Sequence, residues 1–568
     1  MNGRAQTGFD LEPKWVGPLQ QGARHRDARP RLRLVIGVFA LVYLVIAARL
    51  VLLGVGDPGA AANRGGAADA VAAARPDIVD RNGEVLATDI KTASLYAEPR
   101  KILDVDEAAE AISGVMPDLG VRTLREKLSG NAGFAWLKRE ITSDQQGAIH
   151  KLGLPGIGLL TENQRFYPGG ATSSHILGAV NVDNQGIAGI EKYLDDDWLR
   201  DLHASGFAKT PDLQPVPLSI DLRVQHVLRD ELASAMLRYQ AVAATGIILD
   251  VHTGEVLAMS SLPDYDPNRP AEALQPDRLN RMTAGVFEMG SVFKTFTVAM
   301  ALDSGKVTMT DSFDARSAIR SGRFTINDFH GKHRVLSLPE VFIYSSNIGA
   351  ARVALAAGID AQRDFLRRVG MMDRVKTQLP ETARPLLPGK WTELTAMTVA
   401  FGHGISVTPM HTAMATAALM NGGYLIPPTF LPRSREAAQK LAVPVVHPRT
   451  SDEMRQLFRT NVVRGSGRRA EVQGYLVGGK TGTAEKIENG RYSKSKRFNT
   501  FLAAFPMDSP QYVVLVVIDE PQPEKPGMSA TASLNTAPTV AAIIRRSAPM
   551  LGVAARGPGQ DTALLASY

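Results

Sequence analysis

Cysteine is absent from all 568 residues, which excludes disulfides, thiolate metal sites and cysteine nucleophiles together and leaves redox logic silent about the compartment. The histidine and carboxylate spacing of a zinc helix is absent too. The one close pair, His330-Gly-Lys-His333, sits in a glycine-containing loop that Asp328 is expected to order, so no metal is expected. Internal repeats are missing. A dense basic patch is also missing: the net charge is +7, more than half of it in one short tail, which argues against nucleic acid as a partner. Long apolar runs are absent with one exception.

That exception is Leu34 to Val55, 22 residues broken only by Arg49, or ~33 Å as a helix, enough to cross a bilayer. Residues 1–33 hold seven basic and three acidic side chains, a net +4, and the positive-inside rule puts that end in the cytoplasm. Ala60-Ala-Ala62 fits a signal-peptide cleavage site. The preceding charged region and apolar run are both too long for a cleaved signal, so an uncleaved anchor is expected. Arg49 lies near the outer end of the run, where its guanidinium reaches the headgroups.

The length exceeds one ordinary core, and 44% hydrophobic with 21% charged residues is usual for folded protein, so two or three domains are expected. Residues 56–75 read as a juxtamembrane linker or a lightly packed helix. Folded structure begins near Arg75, where Asp77 to Ala87 reads as a hairpin whose Asn82-Gly83 supplies positive φ angles. Mixed patterns continue to about residue 200, and Pro211, Pro215 and Pro217 mark a stiff boundary.

Beyond it come an amphipathic helix over Gln225 to Tyr239, a hairpin of Ala244 to Asp250 with Glu255 to Met259, and a second hairpin of Thr500 to Phe505 with Tyr512 to Ile518. Helical patterns such as Ser291 to Asp303 and Pro409 to Met420 lie between. The fold class expected is α/β (α+β), a mainly antiparallel sheet covered by helices.

Three short strings carry the chemistry: Ser291-Val-Phe-Lys294, Ser345-Ser-Asn347 and Lys480-Thr-Gly-Thr483. Ser493-Lys-Ser-Lys496 and Ser533-Leu-Asn535 fit the first two patterns as well, but no Lys-Thr-Gly follows them, so only one set closes in order. In Ser-x-x-Lys on a helix, positions i and i+3 share a face, which brings the Lys294 amine to the Ser291 hydroxyl. The lysine acts as a base only when neutral, which burial or a nearby cation such as Lys480 would favour.

Ser345 supplies a relay hydroxyl and Asn347 an orienting amide. Lys480, Thr481 and Thr483 suit a substrate carboxylate, and the Ser291 and Thr483 N–H groups an oxyanion. Gly482, placed late on a strand that includes Tyr475 to Val477, is expected to let an extended acyl substrate approach the strand edge. Gly474 to Thr481 also fits the phosphate-binding G-x-x-x-x-G-K-[ST] pattern, but its loop slot is strand-like and no apolar helix follows.

These strings resemble the class B penicillin-binding proteins. The likeness extends through Arg75–Ala87, Arg165-Phe-Tyr-Pro168, His175-Ile-Leu-Gly178, Gly186-Ile-Ala-Gly-Ile-Glu191, Asp221–Gln225, Asn280-Arg281, and Phe401-Gly-His-Gly-Ile405 with Thr408-Pro409. Ser345-Ser-Asn347 and Phe287-Glu-Met-Gly290 look like the septal, FtsI-type branch rather than the elongation branch. Met289 stands where many relatives have proline, and Ala530 to Pro538 lacks a glycine common there.

The resemblance implies a cytoplasmic tail (1–33), a single transmembrane helix (34–55), a periplasmic pedestal of dimerisation type (56–215), a transpeptidase domain with a five-stranded sheet (216–552) and a tail (553–568). It implies that Ser291 is acylated by a D-Ala-D-Ala stem peptide or a β-lactam, with Lys294 as base, Ser345 and Asn347 as relay and orienter, and Lys480 to Thr483 as the substrate site. It further implies peptidoglycan crosslinking at the septum, a polytopic glycosyltransferase and other division proteins as partners, and no cofactor. A membrane-bound β-lactamase or β-lactam sensor would share the serine chemistry, but the former needs a deacylating base, and Glu393 lacks the Leu-Asn that should follow it in one such class. A scaffold with idle catalysis is the remaining alternative.

Overall fold

The computed structural model describes residues 74–198, 214–322, 324–488 and 491–557, together with 40, 41, 43 and 44. The expected tail 1–33, the linker to residue 73 and all but those four residues of the expected membrane span lie outside the described residues. Among the described residues no helix is long and apolar enough to cross a membrane. The chain divides into two compact units, 1–71 and 72–568, and everything below concerns the second.

The first sheet is organised by one long strand. β2 (Val85–Ala97) pairs antiparallel with β1 (Ile78–Val79), β3 (Ala135–Ile141) and β4 (Ile157–Phe166), and β5 (Val216–Pro217) adds in parallel to β1. In the β1–β2 turn only Gly83 takes a positive φ, 89°. Asn82 does not, because Asp80 Oδ1 holds the turn by accepting the N–H groups of Asn82 and Glu84. Helices α1 (Val105–Val115), α2 (Val121–Leu128) and α3 (Ser143–Leu152) cover the far half of this sheet, where Leu95, Ile112, Leu124 and Leu137 form a core of their own.

The second sheet has five antiparallel strands in the order β8 (Gly478–Glu488), β9 (Arg491–Phe505), β10 (Tyr512–Asp519), β6 (Ala243–Asp250) and β7 (Val256–Leu262). Every residue of β10, Tyr-Val-Val-Leu-Val-Val-Ile-Asp, is buried. Its alternate side chains serve two cores, Val513, Leu515 and Val517 on one face and Val514, Val516 and Ile518 on the other, as the two-residue period of a strand requires.

One face carries α4 (Leu222–Arg238) and α10 (Thr536–Ser547). The other packs against α5 (Lys294–Asp303), α8 (Pro409–Met420) and α9 (Pro448–Arg464). α8 is buried along its whole length, with Thr408 and His411 forming a capping box and Pro409 in its first turn. The sheet-plus-helix arrangement read from the sequence is therefore present, with both hairpins in place. β9 runs nine residues further back than the expected Thr500, through Ser493 and Lys496, and pairs with β8 along the extension.

Candidate active site

The serine string departs from a plain helix in a useful way. Gly290 to Phe293 form a 3-10 turn and the α-helix begins only at Lys294. Side chains three apart eclipse in a 3-10 turn, and Lys294 Nζ stands 2.7 Å from Ser291 Oγ. Gly290 makes the turn with φ 55°.

The second string is placed by a chain reversal. α6 (Leu338–Ile343) ends with Ser345 N–H donating to Phe342 O and Ser346 N–H to Val341 O, the paired bonds of a Schellman turn. The corner position of that turn favours glycine, but here it is Ser345, with φ 58°. Backbone strain of this sort is retained where a side chain must point one way. Ser346 then caps α7 (Asn347–Ala357) through Gly349 N–H.

Both reversals meet at the lysine. Lys294 Nζ donates to Ser345 O at 3.0 Å and to Asn347 Oδ1 at 2.7 Å, and lies 3.2 Å from Ser345 Oγ. Asn347 Nδ2 donates to Asn327 O, which fixes its oxygen toward the lysine. A neutral amine has two N–H bonds and one lone pair. A carbonyl and an amide oxygen can only accept, so they take both N–H bonds and leave the lone pair facing the hydroxyls.

Burial, then the neighbouring Lys480 charge, push the Lys294 amine well below its ordinary value, against an upward pull from Asp328. Lys480 is fully buried as well, which lowers it to about 7. Its Nζ donates to Ser345 Oγ at 2.9 Å and stands over the Phe342 ring.

The third string opens β8 instead of closing a strand. Leu476 has φ 44°, which breaks the chain before Gly478, so Tyr475 to Val477 are outside the strand. Among the described residues β8 has a partner on one side only, β9, and so presents a free edge. The expected reason for Gly482 needs correction. A Cβ there would lie 2.7 Å from Val292 Cγ2 and 2.8 Å from Met289 O, so the absent side chain makes room for the serine turn itself. Thr481 Oγ1 is 2.7 Å from Ser466 Oγ, and Thr483 Oγ1 accepts Ala532 N–H, which leaves its own proton free to donate.

Ser291, Lys294, Ser345, Asn347 and Lys480 thus form one hydrogen-bonded cluster, with Thr481, Gly482 and Thr483 following Lys480 on the strand edge. The alternatives fall elsewhere. Ser493 lies on β9 near Lys496, which pairs with Glu488, and Asn535 caps α10. Glu393 is exposed at the start of the helix Glu393–Val399, away from the hydrogen bonds around Ser291.

Sequence reasoning missed two groups of neighbours. Asp328 bonds Ser346 and the Ile348 N–H rather than ordering its own loop. Glu288 accepts from Gly404 N–H and Tyr492 O–H, and His403 stacks on the Tyr492 ring. Burial and then the Lys294 charge lower His403 to about 4. The Phe401-Gly-His-Gly string was the available signal for the second group, and nothing comparable pointed to Asp328.

Residues 244–545 match the penicillin binding protein transpeptidase domain and residues 70–200 the penicillin-binding protein dimerisation domain. The probable peptidoglycan D,D-transpeptidase FtsI of Caulobacter vibrioides is 38% identical over 93% of this chain and 89% of its own length. The chain belongs to the class B penicillin-binding proteins. Within this family, the peptidoglycan D,D-transpeptidase FtsI of Escherichia coli is 30% identical over 80% of each chain. The crystal structure of penicillin binding protein 3 from Mycobacterium tuberculosis with aztreonam shares the fold, with a TM-score of 0.65 and 24% identity over 86% of this chain and 98% of that one. This class B penicillin-binding protein is FtsI-like.

Proposed function

We propose that this protein is a serine-type peptidoglycan D,D-transpeptidase that crosslinks stem peptides of the cell wall at the division septum. One observation carries the reading at the residue level: the buried Lys294 amine has both N–H bonds engaged by Ser345 O and Asn347 Oδ1 and stands 2.7 Å from Ser291 Oγ. Its lone pair takes the Ser291 proton as Oγ bonds to the carbonyl carbon of the penultimate D-Ala. The N–H groups of Ser291 and Thr483 receive the oxyanion. The C–N bond then breaks and the terminal D-Ala leaves as an amine, its proton supplied through Lys294 and Ser345.

An amine of a second stem peptide attacks the acyl-enzyme in turn and restores the serine. The free edge of β8 suits an extended donor strand, with Lys480, Thr481 and Thr483 at its carboxylate. The same hydroxyl opens a β-lactam ring, and the aztreonam complex of the structural relative is in keeping with this. No metal or other cofactor enters any step.

The septal assignment follows the FtsI-type relatives. The apolar run 34–55 supports a single inner-membrane anchor with a cytoplasmic tail and a periplasmic pedestal (56–215) and transpeptidase domain (216–552). A polytopic glycosyltransferase of the division machinery is the partner such an anchor would meet in the membrane.

Intact mass of the full chain after brief penicillin exposure tests the chemistry. A stable adduct is expected in wild type and Ser493→Ala and none in Ser291→Ala, which keeps its fold because removing one hydroxyl opens no core cavity. Rapid drug hydrolysis would instead mark a β-lactamase, and no adduct in wild type a scaffold.

A further inference from the structure

Asn327 and Asp328 follow the short strand Phe324–Ile326 and belong to none of the three strings, yet they grip the second string at two points and the residue after it at a third. Asn327 O accepts Asn347 Nδ2 at 3.0 Å. Asp328 Oδ2 accepts the Ser346 hydroxyl at 2.7 Å, and Asp328 Oδ1 accepts the Ile348 N–H at 3.0 Å. These bonds hold Asn347 and both of its neighbours, Ser346 and Ile348, while Ser345 and Asn347 are the two residues of the string that touch Lys294.

The geometry points to Asp328 as a positioning residue for acyl transfer: its carboxylate locks the Ser346–Ile348 turn so that the oxygens of Ser345 and Asn347 engage Lys294 and aim its lone pair at Ser291. This rests on the transpeptidase reading above.

Ser345 is the reason such a lock is needed. Its left-handed backbone, φ 58°, is a conformation that a serine leaves readily unless its neighbours are fixed. Charge-assisted bonds to a carboxylate are about twice as strong as neutral ones, so one Asp holds the corner better than two amides. The strand edge cannot do this, because its one direct bond to the second string is from Lys480 Nζ to Ser345 Oγ among the described residues.

Asp328 also presents a negative charge to Lys294. The other charged or titratable groups facing that amine are Lys480 from β8, which opposes its protonation, and His403 from the Phe401–Ile405 loop, which burial keeps neutral. Removing the carboxylate therefore has two effects with different signatures. Misplacement lowers the acylation rate at every pH, and loss of the counter-charge moves the acid limb of the rate profile to lower pH.

The experiment is the second-order rate of acylation by a fluorescent penicillin across pH, on the full chain, for wild type, Asp328→Asn and Ser346→Ala. Asp328→Asn is expected to lose about 10- to 100-fold, the order that small misplacements at reacting groups produce, and to shift the acid limb down. Ser346→Ala keeps the carboxylate and should lose rate with the limb unmoved.

Asp328→Asn within about twofold of wild type at all pH would overturn the proposal. So would a loss that reflects only a smaller active fraction with the limb in place. If Asp328→Asn does not fold, a wild-type rate in Ser346→Ala overturns it equally. Absence of acylation in wild type would instead strike the transpeptidase reading.

Discussion

Two buried lysines reach for one hydroxyl, Ser345 Oγ, with Lys294 Nζ at 3.2 Å and Lys480 Nζ at 2.9 Å. Among the described residues neither has a carboxylate within salt-bridge distance, so burial acts on both without full compensation. Lys480 sits at about 7 in the fold against 10.5 for a solvated lysine. Between those values the unfolded chain holds a proton that the folded chain lacks, so stability rises with pH across the window. Below about pH 7 both states are protonated and the burial cost is carried in full.

Lys480→Met should therefore be more stable than wild type by about 1–4 kcal/mol at pH 6, with the gain shrinking toward pH 10, while penicillin acylation collapses. Melting temperatures at pH 6 and pH 9.5 check this, and a variant that loses stability at pH 6 refutes it. The residue types of this cluster were legible in the sequence because each string pairs a reactive group with fixed neighbours. Asp328 was not, since its contacts join positions about twenty residues apart that share no pattern.

At the scale of elements, the site is the place where a 3-10 turn, a chain reversal and a strand edge are pressed together, and small residues make this possible. Gly290 meets β8 on one side and Gly402 on the other. A Cβ on Gly402 would fall 2.3 Å from Gly290 O and 2.7 Å from Gly290 N, and its φ of 83° already disfavours a side chain. Gly402→Ala must push the serine turn off its seat. The expected cost is about 2–5 kcal/mol with a severe loss of acylation. The same change at Gly389, where a Cβ meets nothing within 4 Å, should alter neither. Thermal melts and penicillin labelling of the two variants side by side decide it.

The hairpins were legible because runs such as Tyr512 to Ile518 are apolar and rich in β-branched residues. The extension of β9 was hidden because Tyr492 to Arg497 are polar and pair beyond the covered part of the sheet. The start of β8 was hidden because one left-handed residue, Leu476, interrupts an otherwise continuous apolar pattern.

At the scale of the molecule, the first sheet belongs to two cores. Its near end, with Ile78, Leu86, Tyr167, Ile176 and Ile190, is buried in the same core as Ile247, Met282 and Phe296 of the transpeptidase region. Its far end, with Leu95, Ile112 and Leu137, is separate. Across the near end Glu191, fully buried, accepts from Arg75 Nε at 2.9 Å and Arg165 Nε at 2.6 Å, and Arg165 also bonds Asp89 and Pro76 O. Gly189 N–H donates to Glu381, and Tyr167 exchanges two bonds with Asn268.

This wiring makes the near end part of the catalytic body's stability and leaves the far end to open on its own. Glu191→Ala removes the carboxylate shared by two buried guanidinium groups, leaving Arg75 with Asp195 and Arg165 with Asp89, and should cost about 3–5 kcal/mol, lowering the temperature at which penicillin acylation is lost. Ile112→Ala cuts a cavity of similar cost, about 2–5 kcal/mol, in the far core. It should lower only an early calorimetric transition and leave the acylation midpoint where it was. Equal loss of acylation in both variants would mean that the two cores unfold as one. With the separate early transition in Ile112→Ala, the dimerisation-domain region is expected to carry a stability gradient, steepest where the buried Arg75, Arg165 and Glu191 charges give way to the apolar core around Ile112.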